Sequence, residues 1–413
     1  MKGSAELHVL EGMGLELEYM IVEEDSLDVL PVADRALRAL AGKNTDEVLC
    51  GTAGWSNELV LHVMELKNVA PVSSLHGLVD IFHGAISSVN GILGGMGARL
   101  MPTGMHPWMD PRRETRLWDR RNRRIYEAYD RIFGCSGHGW ANIQSVHLNL
   151  SFSGDEEFRR LHAAVRLLLP LLPFLAASSP IVEGKITGAL DNRLTFYMTN
   201  QKKIPSISGR IVPESSESRE QYERKVLERM YRDIAPFDPE GILRHEWLNS
   251  RGAVPRFERS AVEIRLLDVQ ECPLADISVA AVVTAVLHAL LFEGWSDYRQ
   301  QAVLRTAALR SLLIDVMRSG QHAVISEPAY LRAFGVRERR LRVSELWEYL
   351  GGEVRFSDLV GHELWKAFRV ILDHGTLAKR IIRATGKNPS RERLREVYSR
   401  LCDCLSAGEQ FPG

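Results

Sequence analysis

The sequence predicts an α+β fold: an antiparallel sheet forming a funnel, with a polar face inside and helices packed on its back. Three observations predict it. Four segments alternate apolar and polar residues with the period of a strand. The elements run strand, helices, strand, helix, strand and then helices, which is not the regular alternation of a parallel sheet. Beyond Pro273 the pattern is almost wholly helical to about Leu405, a helical C-terminal third.

The first strand is GLELEYMIV from Gly14. Leu15, Leu17, Tyr19 and Ile21 share one face, and Glu16, Glu18 and Met20 the other. Two carboxylates two residues apart lie roughly 7 Å from each other along one pleat. On a plain surface that spacing is repulsive, whereas a divalent cation such as Mg²⁺ takes hard oxygen ligands and neutralises both charges. Glu58 to Asn68 carries Glu58, Glu65 and Lys67. Glu65 and Lys67 share a face, but Glu58, seven positions before Glu65, would point the other way. Either a bulge intervenes or Glu58 precedes the strand. Val72 to Leu93 reads as a helix, followed by a strand around Arg99 to Thr103. Trp118 to Phe133 reads as a basic amphipathic helix, its Arg120–Arg124 cluster a solvated face.

Ser145 to Ser151 (SVHLNLS) places Val146, Leu148 and Leu150 behind and His147 and Asn149 in front. Asp155 to Ala177 is helical; its oily end, Leu167 to Ala177, contains two prolines and is about half the length that spans a bilayer. Asn200 to Arg224 is polar and turn-rich and suits a loop or lid over the funnel. Ser260 to Asp268 (SAVEIRLLD) is the last strand. Ala261, Glu263, Arg265 and Leu267 share one side, Val262, Ile264 and Leu266 the other, with Asp268 at the end. Alone, Glu263 beside Arg265 is an ion pair on a strand. Beside three similar strands, it becomes one wall of a face rich in Glu, His, Asn and Arg, which suits metal ions and phosphates.

Composition narrows the class. The chain has 413 residues, of which 45% are hydrophobic and 25% charged, with a formal net charge of −1. That balance gives no reason to expect nucleic acid or an anionic membrane as partner. Five scattered cysteines without a CxxC pair, and an N-terminus without an apolar core segment, point to a reduced, cytoplasmic setting. Glycine-rich GILGGMG from Gly91 follows a helix and precedes a strand, the reverse of a dinucleotide fingerprint. HExxH and Gly-x-Ser-x-Gly are absent, and Glu183 to Thr187 lacks the leading glycine of a phosphate loop.

Five motifs in order carry a resemblance: GLELE; MPTGMHPW with His106 and Pro107; SVHLNLS; AASSPIVEGKITGALDNR ending at Arg193; and NSRGAVPRFERSAVEIRLLDVQ with Arg251. From Gly14 to about Ala280 the chain resembles the glutamate–cysteine ligase type 2 family of carboxylate–amine ligases, whose sheet is similar to that of glutamine synthetase. It departs from the His-x-His of many members: His147-Leu148-Asn149 resembles the other glutamate–cysteine ligase branch.

The resemblance implies a single catalytic domain over residues 1–413, with a core at 10–280 and a helical part at 281–413. It implies an ATP-dependent ligase that makes an amide through an acyl phosphate, on glutamate or a similar amino acid. Small-molecule carboxylate and amine substrates would be its partners, and members often pair as homodimers. Two or three Mg²⁺ ions, with Mn²⁺ as a substitute, would sit on Glu16, Glu18, Glu58, Glu65, His147 and Glu263. Glu263 and Arg265 would be the catalytic pair, with Arg265 on the transferring phosphoryl group. Lys67 and Arg265 would contact the nucleotide. Arg193, Arg251 and Asn149 would bind substrate, the arginines by bidentate hydrogen bonds. His106 reads as a structural turn residue. Two other classes stay open: a metal-dependent hydrolase on the same Glu/His cluster, and a catalytically silent binding protein.

Overall fold

In a computed structural model, which describes residues 6–413, eight strands form one antiparallel sheet. They are β1 (Met13–Glu23), β2 (Glu47–Cys50), β3 (Ala53–Asn57), β4 (Val63–Asn68), β5 (Ala98–Met101), β6 (Ser145–Ser151), β9 (Ala253–Arg256) and β10 (Ala261–Asp268). Between the last three, β7 (Ile181–Val182) and β8 (Lys185–Ile186) form a separate hairpin. The sheet order is β2-β3-β4-β1-β6-β10-β9, with β5 paired to the far end of β1. The long β1 lies at the centre because its eleven residues accept β4 on one edge and β6, then β5, on the other.

The alternation read from the sequence holds on β1 and β6. Leu15, Leu17, Tyr19, Ile21, Val146, Leu148 and Leu150 are all buried at the back. Three helices cover them: Leu78–Gly94 packs on β3 to β5, Gly154–Leu168 on β10, and Pro273–Leu291 against both helices. Pro273–Leu291 is apolar on every side and long enough to cross a membrane by composition, but 78% of its apolar window is buried inside the fold. A helix sunk in a core needs no polar face. The C-terminal third is helical as expected, interrupted by the small hairpin of β11 (Val324–Ile325) and β12 (Leu341–Arg342).

Three readings are corrected. The segment from Glu58 to Asn68 is not one strand: β4 starts at Val63, and Glu58 follows β3, a strand that the sequence pattern did not reveal. Glu58 therefore escapes the parity conflict by preceding the strand. The helix expected from Trp118 begins only at Arg123, and the one expected from Val72 only at Leu78. In β10 the register slips by one residue between Ile264 and Leu267, so that Leu267 pairs with Val146 at the back and Asp268 with Ser145 at the front. This β-bulge moves Leu267 off the front face where simple alternation put it.

Stretch 200–224 is turn-rich, as read, and its first residues, Asn200 and Gln201, line a cavity on the sheet face. Ile204, Ile207, Ile211 and Val212 are buried in the main core and pin the stretch down. His106 is structural: its Nε2 bonds the Leu27 carbonyl at 2.8 Å. The Arg120–Arg124 cluster pairs with Asp34, Glu127 and Glu240 near the surface.

Burial pushes His62 down to about 4, and His106 and His162 down to about 3. All three are neutral in the fold and take up a proton on unfolding below the ordinary histidine range. The unfolded chain thus binds more protons in acid, and stability falls as pH drops from about 6.5 towards 4. His162, whose two ring nitrogens have no partner, is the cleanest test: His162→Leu should flatten the urea midpoint against pH over that window. Leu148→Ala, at the centre of the back face, should lower stability by about 2–5 kcal/mol in the same titration.

Candidate active site

The front face gathers the acidic residues by register. Glu16 lies opposite His147 on β6 and Lys67 on β4, Glu18 opposite Glu65, and Glu263 opposite Asn149. His147 stands between the two carboxylates of β1, with Nδ1 3.1 Å from Glu16 Oε2 and Nε2 3.9 Å from Glu18 Oε1. Ser145, which the sequence reading did not single out, ties this corner together. Its backbone N–H and hydroxyl donate to Glu18 Oε2 at 2.7 and 2.9 Å, and its oxygen lies 2.9 Å from His147 Nε2. Ser56 Oγ donates to Glu65 at 2.9 Å, and Asn149 Nδ2 to Glu16 at 3.2 Å.

Burial and neighbouring charge together shift the carboxyls of the cluster. Burial drives the Glu58 carboxyl far above the ordinary range, and the charges of Glu65 and Glu18 add to it. Glu65 is raised by burial and by Glu16, against the pull of Lys67. Burial also pushes Glu263 up, but Arg265 and Arg256 outweigh it and hold that carboxyl well below the usual range. Arg256 Nε donates to Glu263 Oε2 at 2.6 Å, and Arg265 Nη1 donates to its other oxygen.

The donor set fits hard divalent cations. Glu16, His147 and Glu263 form one group, and Glu18, Glu65 and His147 another, with the donor atoms of each group within 4.8 Å of one another. Carboxylates opposed across strands are destabilising alone, and burial together with their neighbours' charge raises both Glu58 and Glu65. A bound cation would neutralise them and polarise phosphate oxygens. All six residues expected to hold metal thus reach one face, Glu58 from its loop.

The arginines divide. Arg193, from the helix Asn192–Tyr197, lines the cavity beside Glu18, His147 and Arg265. Its Nε donates to Asp268, which also accepts from Ser178 N at 3.0 Å and Ser179 Oγ at 2.8 Å. Asp268 went unrecognised because only the bulge turns it to the front. Arg251, expected on substrate, is occupied elsewhere. It grips Glu214 with two nitrogens at 2.6 and 3.0 Å, and its Nη1 bonds the carbonyls of Ser206 and Ile207. Gly209, at φ +54°, lies so close that a Cβ would fall 2.7 Å from Arg251 Nη2. Arg251 therefore staples the 200–214 stretch instead of lining the cavity.

Two cavities open on the sheet face. One of about 210 Å³ is lined by Glu18, Glu58, His147, Arg193 and Arg265. The other, about 650 Å³, takes in Glu16, Lys67 and Asn149, which places Asn149 with Lys67 and away from Arg193. Lys67 is itself held by Glu47 at 3.0 Å.

A face built in this way suits an enzyme that handles divalent cations and phosphates. The chain belongs to glutamate–cysteine ligase family 2 (GCS2), whose profile matches residues 12–400. An uncharacterised protein of Archaeoglobus fulgidus is 32% identical over 97% of this chain and 100% of its own length. A Nocardioides sp. protein with the provisional name glutamate–cysteine ligase 2-1 is 25% identical over 81% of this chain and 82% of its own. In fold, the chain is similar to the glutamate–cysteine ligase of Francisella tularensis in complex with AMP, with a TM-score of 0.62 at 14% identity, over 95% of this chain and 88% of that one.

Asp268→Asn would leave Arg193, 1% exposed, buried without its counter-charge. Its stability in chemical denaturation should fall by about 3–5 kcal/mol.

Proposed function

We propose that the protein joins a carboxylate to an amine at the expense of ATP. The reading is carried by one observation: five carboxylates, an imidazole and Arg265 meet on a single sheet face between two cavities. A carboxylate is inert towards amines at neutral pH. When a carboxylate oxygen attacks the γ-phosphorus, the bond to the β–γ bridging oxygen breaks, ADP leaves and an acyl phosphate forms. The amine nitrogen then attacks the acyl carbon, phosphate departs with its electron pair, and the nitrogen loses its proton to solvent.

The residues divide these tasks. The larger cavity has room for the nucleotide, with Lys67 and Asn149 on its wall, and the smaller one holds the acid. Glu16, Glu18, Glu58, Glu65, His147 and Glu263 would hold Mg²⁺. Arg265, raised by its bond to Glu263 against the effect of burial, stays charged at any working pH and faces the phosphoryl group. Its anchoring by Glu263 fixes the guanidinium before substrate arrives, the preorganisation that makes such donors effective.

ADP formation should require Mg²⁺ and both an acid and an amine. Arg265→Ala and Glu263→Gln should each lower it by roughly 10³-fold or more, read by coupled ADP release on a matrix of acids and amines. Full turnover by either variant, or turnover without ATP, would discard this mechanism.

A further inference from the structure

The smaller cavity has a charged floor and an aromatic roof. The floor is the sheet face with Glu18, His147 and Arg265. The roof comes from segments inserted between strands: Tyr126 and Tyr129 on the helix Arg123–Phe133, Trp140 on the short helix His138–Ala141, Tyr197 ending Asn192–Tyr197, and Trp247 within Glu246–Leu248. Tyr129 packs 5.3 Å from Trp140 and 6.0 Å from Trp247, centroid to centroid, and Phe133 stacks on Trp140 at 5.7 Å. Tyr129, Phe133, Trp140 and Trp247 therefore brace one another. Leu59, Val60 and Val63 add an aliphatic edge.

The cations of this chamber are already matched. Arg193 is paired with Asp268 and Arg265 with Glu263, His147 stands between Glu16 and Glu18, and among the described residues no lysine lines the space. One carboxylate can be received at the floor, where Arg265 Nε has no partner. A second carboxylate on the same molecule would meet rings, amides, hydroxyls and an Arg193 already paired with Asp268, and a buried charge without its own partner is strongly disfavoured. Two further polar atoms lack partners although their residues are only 6% and 2% exposed: Tyr197 Oη, a donor for a carboxylate, and Gln201 Oε1, an acceptor for an amino group. Gln201 is held in place by donating from Nε2 to Ser250 Oγ at 3.0 Å.

The geometry points to an aromatic amino acid with a single carboxylate as the acid of this site, in place of a dicarboxylate such as glutamate. The flat apolar side chain lies under the rings, the carboxylate at Arg265 and Tyr197, and the amino group at Gln201. Identification of this molecule as the acid that is activated rests on the ligase reading; the chamber's preference for it does not.

Two measurements on the full chain separate these. In calorimetry without ATP, phenylalanine should bind at least about tenfold more tightly than glutamate, the discrimination an apolar pocket ordinarily supplies. Gln201→Leu should weaken phenylalanine but not 3-phenylpropionate, which has no amino group. In ADP release with ATP, Mg²⁺ and an amine panel, phenylalanine should exceed glutamate in kcat/KM by a similar factor. Trp247→Ala should raise its KM about tenfold while kcat stays nearly constant, with Tyr126→Ala as the substitute if that variant does not fold. Tighter binding or faster turnover of glutamate, or an unchanged KM in a folded ring variant, overturns the proposal. Phenylalanine binding without any ADP release would keep the chamber assignment and discard the ligase reading.

Discussion

Repulsion among buried carboxylates is the constraint on which the rest of this molecule depends. Glu16, Glu18, Glu58, Glu65 and Glu263 meet on one face, and burial and neighbouring charge raise Glu58 far above, and Glu65 above, the ordinary carboxylate range. A loose scaffold would relax such a cluster by turning side chains outward. This one cannot, because the back of every participating strand is locked into a core closed by three helices. The apolar side of β1, β6 and β10 thus holds the functional side in an arrangement that it would not adopt alone. Such stored repulsion readies the face for cations and phosphates.

The arginines are arranged in answer to that constraint. Arg265 and Arg256 bracket Glu263, Arg193 sits on Asp268, and Arg251 closes on Glu214. Each guanidinium is anchored on a carboxylate before any ligand arrives, so each is oriented in advance. Two consequences follow from the same fact. The reacting end is preorganised, and the rest of the chamber is left to aromatic rings, which bind by shape and apolar area.

Much of the face was legible in the sequence because a strand's period is fixed. Leu15 to Ile21 and Val146 to Leu150 had to lie behind if Glu16, Glu18, His147 and Asn149 lay in front. The reading failed where the backbone broke that period. Asp268 was hidden by a bulge, Glu58 by a turn after an unrecognised strand, and Arg251 by a partner, Glu214, 37 residues earlier in sequence. Tyr126, Tyr129, Trp140 and Trp247 carry no local signal at all, since nothing about an aromatic residue on a helix says which surface it will roof.

The sequence by itself therefore determined the sheet's two faces, the acidic and imidazole side chains on one of them, and membership of a ligase family through five ordered motifs. These are matters of alternation and order along the chain, which local geometry enforces. Only the tertiary structure decided which strands are neighbours, which arginines are already paired, and what closes over the charged face. Those are contacts between residues distant in sequence, fixed by packing and by long-range charge matching, which no period along the chain records.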